Sequence, residues 1–367
     1  MSDLLYSEIE NDLRASVREV LQDKAPWPSV LAGTEKDEPY DAALWDAVAA
    51  RLGCAGLPVP EDRGGAGATW RETAVVMEEL GRAVAPVPFL SSAVTATAAL
   101  LAAGERDLLP RLAAGEQIAV LAVPFGAAPG DAAADVRAAD GAVTGQVRGV
   151  ADGMAAGVLL VPADGGLYAV DAADARRTAV TSLDMTRRLA DVTFSAAPAR
   201  LVAEGSGPVR AALLTGAAML ASEQLGLAER CLDDTVAYVK TRYQFGRPVG
   251  SYQGLKHRLA DLWTSITQAR AVARHAASRI ADGTAGGAAG WDGDAEAAIA
   301  VAVAQAHCSA VALKAAEECV QMHGGIGFTW EHPAHLFLKR AKADSIALGT
   351  PGRHRAALAG LVDLPPA

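Results

Sequence analysis

Along the first hundred residues the apolar positions recur at helical spacing. Leu5, Ile9, Leu13, Val17, Val20 and Leu21 fall on one side of a 3.6-residue repeat, with Ser2 available as a cap. After the turn-rich "GLPVPEDRGGAGATW", the segment "RETAVVMEELGRAVAPVPF" is helical again until its prolines. From about Gln117 to Val202 the pattern changes to short apolar runs, "IAVLAV", "GVLLVPA", "GLYAV" and "ADVTF", punctuated by Gly, Asp and Pro. Such runs predict the strands of a small β-barrel or sandwich.

From about Ser206 long helical patterns return. Ala211 to Lys240 is apolar nearly all round in its first half, which suits a central helix, whereas Gln253 to Asp282 carries Leu255, Leu259, Leu262 and Ile266 as a stripe. The linker "GTAGGAAGWDG" leads to a helix from Asp294 to Met322, and Thr350 with Pro351 can cap and open a last one. The expected fold is α+β and mainly α. It comprises a helical domain over 1–116, a β domain over 117–205 and a bundle of four antiparallel helices over 206–367.

Composition narrows the function. A chain of 367 residues that is 51% hydrophobic can bury two or three packed units. A net charge of −10 argues against nucleic acid, whose phosphates need a basic face. The most apolar stretch, Ala211 to Leu225, contains Glu223, so no bilayer span is expected, and the acidic "MSDLLYSEIENDL" is unlike a signal peptide. These features predict a cytoplasmic protein. Cys54, Cys231, Cys308 and Cys319 have no CxxC spacing and read as small buried hydrophobes, without disulfides or a metal site.

Two stretches carry candidate chemistry. In "QMHGGIGFTW", residues 321–330, three glycines follow a long helix. A positive-φ helix cap accounts for one of them; Gly325 and Gly327 suit the close approach of another backbone or of a phosphate-bearing ligand. In "TRYQFGRPVGSYQ", residues 241–253, Arg242 and Phe245 read either as a surface charge and a packing anchor or as binding groups. In the second reading Arg242 offers a fork of donors to phosphate, Phe245 a face to an aromatic ring, and Gln253 an amide to a polar edge.

"YVKTRYQFGRPVGSYQGLKHRLAD" and "QMHGGIGFTWEHPAHLFLKRAKAD" together resemble the paired signature regions of the acyl-CoA dehydrogenase family, and "LGCAGLPVPEDRGGAGATWRETAVVMEELGRA" resembles its N-terminal domain. The resemblance implies a dimer or dimer of dimers in which FAD lies across the interface. Arg242, Phe245 and Gln253 match the first motif, and Gln321, Gly324 and Gly325 match the Gln-x-x-Gly-Gly of the second. They would contact the neighbouring subunit's FAD, with Thr350 a further cofactor-side residue. The implied reaction is α,β-dehydrogenation of an acyl-CoA thioester. A carboxylate removes the α-proton, the β-hydride passes to the flavin, and the electrons leave to an electron-transferring flavoprotein.

The sequence departs from that pattern where the chemistry would occur. The usual base is the Glu immediately before Gly-Thr, and here "SIALGTPGRHR" places Leu348 there. The alternative base position, on the helix before the Arg motif, aligns with Gly216. Glu223 lies seven residues on, about 10.5 Å along a helix, and reads more readily as a polar residue paired inside the bundle than as a substitute base. The flavin-flanking stretches of the middle domain, "LAVPFGAAPGD" and "QVRGVADGM", hold no Trp, Ser or Thr. These losses resemble the actinobacterial heterotetrameric enzymes of steroid degradation, in which one subunit type supplies the base. "SLDMTRRLADVTF" also resembles that group, although its Asp184, Thr186, Arg187 and Arg188 read more readily as solvated charges at a strand-edge turn than as substrate-contacting groups. The competing readings are a non-catalytic scaffold that completes a paralogous partner, and a flavin-dependent oxidase or monooxygenase on the same fold.

Overall fold

In the computed structural model, residues 4–131, 135–284 and 294–364 are described. Ser2 and the glycine-rich linker from residue 285 on lie outside them. The first helix, α1 (Glu8–Lys24), begins later than Ser2 would place it. Ser7 and Glu10 form a reciprocal capping box there, which satisfies two orphan backbone donors. Short helices α2 (Trp27–Thr34) and α3 (Ala42–Trp45) follow, then α4 (Trp70–Ala83), opened by a second capping box from Thr69 and Glu72. A π-helical stretch, Phe89–Ala96, runs into α5 (Thr97–Ala102), and α6 (Leu109–Ala113) ends the helical front.

Eight strands come next: β1 (Ala119–Leu121), β2 (Val136–Ala139), β3 (Ala142–Ala151), β4 (Val158–Ala163), β5 (Gly166–Asp171), β6 (Ala175–Val180), β7 (Leu189–Pro198) and β8 (Arg200–Glu204). They form two four-stranded sheets, in the orders β1-β4-β5-β8 and β2-β3-β7-β6. Among the described residues only the β1–β4 pair is parallel. The buried positions of β3, Val143, Val147 and Val150, alternate with polar ones, and together with Val192, Phe194, Leu159 and Val161 they join the core shared with the helices.

The chain then enters α7 (Gly207–Thr241), turns through a two-stranded hairpin of β9 (Tyr243–Gln244) and β10 (Arg247–Pro248), and returns in α8 (Gln253–Thr284). Helices α9 (Ala295–His323), α10 (Ala334–Asp344) and α11 (Pro351–Leu361) complete the molecule. Both α7 and α9 are long and apolar enough to cross a membrane by composition. However, the apolar window of α7 is 94% buried inside the protein and that of α9 56% buried, as befits core helices. Gln305 Nε2 donates to the Ala217 carbonyl and Tyr238 Oη to that of His323, so α7 and α9 pack directly and run parallel, whereas the Arg258–Glu318 and Arg279–Asp294 pairs set α8 antiparallel to α9. Where α4 crosses α7, the helices touch backbone to backbone. A side chain at Gly81 would collide with the Glu223 carbonyl, and one at Gly226 with that of Glu78.

Candidate active site

The two positions at which a base was expected do meet. A methyl group on Gly216 would lie 3.0 Å from Leu348 Cδ1 and 2.7 Å from Thr95 Cγ2, so α7, the π-helical stretch and the residues before α11 converge on one point. Leu348 is buried, with φ at +52°, and both of its backbone polar groups are bonded: its N–H donates to the Phe125 carbonyl at 3.0 Å, and its carbonyl lies 3.0 Å from His354 Nε2. Leu348 helps to line a void of only about 40 Å³, together with Leu90, Ser91, Thr95, Phe125 and Leu213. A wider groove of about 260 Å³ shares Leu213 and reaches Gly130 and Arg210. It leads to a cavity of about 530 Å³ between α11 and the starts of α7 and α9.

The two middle-domain stretches expected beside a flavin ring are bonded to one another, since the Phe125 N–H donates to the Gly149 carbonyl at 2.9 Å. Three carboxylates are bonded into this wall: Asp131 accepts from the Ala128 N–H, Asp191 from the Gly149 N–H, and Asp152 from a side chain. Asp152 is buried, its Oδ2 accepts from the Ser91 hydroxyl at 2.5 Å, and burial pushes its carboxyl above the ordinary range.

Glu223 sits elsewhere, in a buried ionic cluster that joins the β domain to the bundle. Arg187 Nη2 donates to both Glu223 oxygens at 2.9 and 2.7 Å, and Arg187 Nη1 to Asp344 Oδ1 at 2.6 Å. Arg340 Nε donates to Glu223 Oε1 at 2.7 Å, and its Nη1 to Asp184 Oδ2 at 3.2 Å and Thr186 Oγ1 at 2.9 Å. Burial alone would raise the Glu223 carboxyl, but the two guanidiniums hold it below its usual value. Asp344, with burial and the Glu223 charge acting together, rises to about 7. The expectation of solvated charges at Asp184, Thr186 and Arg187 is therefore corrected: all three are buried, because partners 36 to 157 positions away in sequence neutralise them. Arg188 is half-buried and donates to the Gly33 and Lys36 carbonyls of the helical front.

The motif residues face outward. Arg242 ends α7 with no hydrogen bond to its guanidinium among the described residues. Phe245 stands at the hairpin tip, 91% exposed, with φ at +52°. Gln253 begins α8, its Nε2 3.4 Å from His257 Nε2. Gln321, Gly324 and Gly325 are exposed at the end of α9. Gly324 is the helix cap, with φ at +63°, and side chains at Gly324 or Gly325 would meet nothing within 4 Å. At Gly327 the first of the two expected reasons holds, the close approach of backbone. A Cβ there would lie 2.6 Å from the Val320 carbonyl oxygen, so the chain's own turn, not a ligand, excludes a side chain. Thr350 caps α11, its Oγ1 accepting from the Arg353 N–H at 3.3 Å.

Comparison with known proteins agrees along the chain. Residues 7–116 match the acyl-CoA dehydrogenase N-terminal domain, and residues 203–360 match the acyl-CoA dehydrogenase C-terminal domain. The acyl-CoA dehydrogenase IpdE2 of Mycolicibacterium smegmatis is 36% identical over 346 residues, covering 94% of this chain and 96% of that protein. FadE34 of Mycobacterium tuberculosis, another acyl-CoA dehydrogenase, is 37% identical over 83% of this chain and 40% of its own length. Among solved structures, a chain of the ChsE4-ChsE5 complex from Mycobacterium tuberculosis superposes with a TM-score of 0.88 at 26% identity, covering 100% of both chains. The steroid enzyme Tcur3481-Tcur3483 gives 0.83 at 30%, covering 97% of this chain and 98% of its own.

Proposed function

This chain belongs to the acyl-CoA dehydrogenase family, oxidoreductases that act on CH–CH bonds, and on that premise we propose that it is the base-lacking half of a heteromeric acyl-CoA dehydrogenase. One observation carries the reading: Gly216 and Leu348, the two places for a carboxylate, pack against each other with no acid between them. A proton cannot be taken by an alkyl side chain, and Glu223 is held ionised by two arginines, so it is a weak base as well.

The residues for FAD divide in the same way. Arg242, Phe245, Gln253, Gln321, Gly324 and Gly325 are exposed and open, which fits the pyrophosphate and adenosine half of a flavin seated mainly in a partner. The stretches that would hold an isoalloxazine in this chain offer no hydroxyl, and their backbones are bonded to one another. FAD would supply the hydride acceptor, and this chain's part is to bind and orient it while the partner handles the proton. The void beside Leu348 is far below the 300 Å³ or so that a ligand pocket needs, whereas the groove toward Arg210 and α11 has room for the extended arm of a CoA thioester. The kinship with steroid and lipid enzymes favours a bulky acyl group, handled by the partner's pocket in the cytoplasm, with an electron-transferring flavoprotein as acceptor.

Activity tests this directly. The lone protein should not reduce an artificial acceptor with any acyl-CoA. Its complex with a paralogue that carries Glu before Gly-Thr should do so, and should lose that activity when the partner's Glu becomes Gln. Turnover by the lone protein would contradict the proposal.

A further inference from the structure

The two outward motifs are joined beneath the surface by a stack of three aromatic rings. Tyr238 belongs to the last turn of α7, His323 is the last residue of α9, and His332 lies in the loop before α10. The Tyr238 and His323 rings stack at 4.4 Å between centroids with 30° between their planes, and the His332 ring follows at 4.1 Å and 38°. Each ring is also held by a hydrogen bond. His323 Nδ1 lies 2.7 Å from the Cys319 carbonyl oxygen one turn back, so this nitrogen carries the proton and donates it. His332 Nδ1 accepts from the Ala334 N–H at 3.3 Å, and Tyr238 Oη donates to the His323 carbonyl at 3.4 Å, a long bond that adds direction more than strength. Stacked rings constrain both distance and tilt, so three segments far apart in sequence are set relative to one another.

Both motifs start from this stack. The Arg242 N–H donates to the Tyr238 carbonyl at 2.9 Å, and the Arg242 carbonyl accepts from the Val249 N–H at 2.8 Å, so the backbone that carries the guanidinium is bonded on both sides. Gly324 follows His323 directly, and neither it nor Gly325 has a side chain with which to pack. Such a turn has the widest backbone freedom, and its placement depends on the residues that flank it. Of these, His323 is 3% exposed and stacked, whereas Ile326 and Phe328 beyond the turn are exposed.

We infer that Tyr238 and His323 are positioning residues for FAD: their stack locks the end of α9 to the end of α7, so that Arg242 and the Gly324–Gly325 backbone meet one cofactor in fixed register. The inference rests on the reading of the two motifs as contacts to FAD. Neither ring needs to touch the cofactor. A binding constellation works only while its groups stay within about 0.5 Å of the productive geometry, and side chains locked by packing and hydrogen bonds are what keep them there. His332 backs the stack from the far side of His323.

The test is a double-mutant cycle on the apoprotein of the complex with a glutamate-bearing paralogue, read by flavin-fluorescence titration with FAD, with urea unfolding as the control for the fold. Tyr238→Leu should weaken FAD about tenfold, and Tyr238→Phe, which keeps the ring, by no more than about twofold. In the Arg242→Ala background Tyr238→Leu should add clearly less than its tenfold, because the ring acts through the placement of that guanidinium. A Tyr238→Leu protein that binds FAD like the wild type, or whose effect multiplies in full with that of Arg242→Ala, would overturn the inference alone. If Arg242→Ala itself binds FAD like the wild type, the reading of the motifs falls and the inference with it. His332→Leu removes only the half-buried outer ring and decides the matter where Tyr238→Leu does not assemble: about threefold weaker FAD is expected, and unchanged affinity would overturn the inference.

Discussion

The molecule holds two clusters of arginine with opposite fates. Around Glu223, two guanidiniums and the carboxylates of Glu223, Asp344 and Asp184 are buried and bonded to one another, and the cluster fastens the β domain to the bundle. In the hairpin after α7, Arg242 and Phe245 are exposed, and the Arg242 guanidinium has no hydrogen bond among the described residues; the Gly324–Gly325 turn is likewise open. Buried charges must be neutralised by the chain that buries them. Exposed ones without partners are free to serve a ligand or another subunit. The comparison thus separates what this chain needs in order to fold from what it presents to others.

The largest effect should come from breaking the buried cluster. Arg340→Ala leaves Glu223 and Asp184 undercompensated and should cost about 3–5 kcal/mol in urea unfolding. Arg242→Ala should leave the unfolding midpoint nearly unchanged. In the assembled complex it should weaken FAD by about 1.5–3 kcal/mol, read by flavin-fluorescence titration. An equal loss of stability in both variants would erase the distinction between the clusters.

Asp344 sharpens the comparison through pH. Its folded-state value, about 7, is raised above the ordinary carboxyl value of 3.8, so the folded protein binds more protons than the unfolded one between those limits. Its contribution to stability therefore falls as pH rises through that window. Asp344 Oδ2 has no hydrogen-bond partner among the described residues, while Oδ1 accepts from Arg187, so an amide fits in its place. Asp344→Asn should match the wild type near pH 4 and exceed it by on the order of 1–2 kcal/mol at pH 8. The smallest effect is local: Thr350→Ala removes the α11 cap, at about 1 kcal/mol in thermal unfolding.

The long helices were readable because period and caps agree: Gln253 opens α8, and Asp294 caps α9. The apolar runs gave β1, β4, β5 and the start of β7, whereas β2, β6 and β8 carry few buried apolar residues and left no such trace. Legibility of the site followed the same logic. Arg242, Phe245 and Gly324 stand in contiguous motifs, so they could be singled out. The ionic cluster could not, because Arg187 and Asp344 are 157 positions apart and each resembles an ordinary surface charge in its own segment.

The most direct test of the half-site account is flavin content, from the visible absorbance of this protein purified alone and after co-expression with a paralogue bearing the glutamate. The account predicts a colourless lone protein and a complex with one FAD per pair of chains. A lone protein carrying one FAD per chain would contradict it.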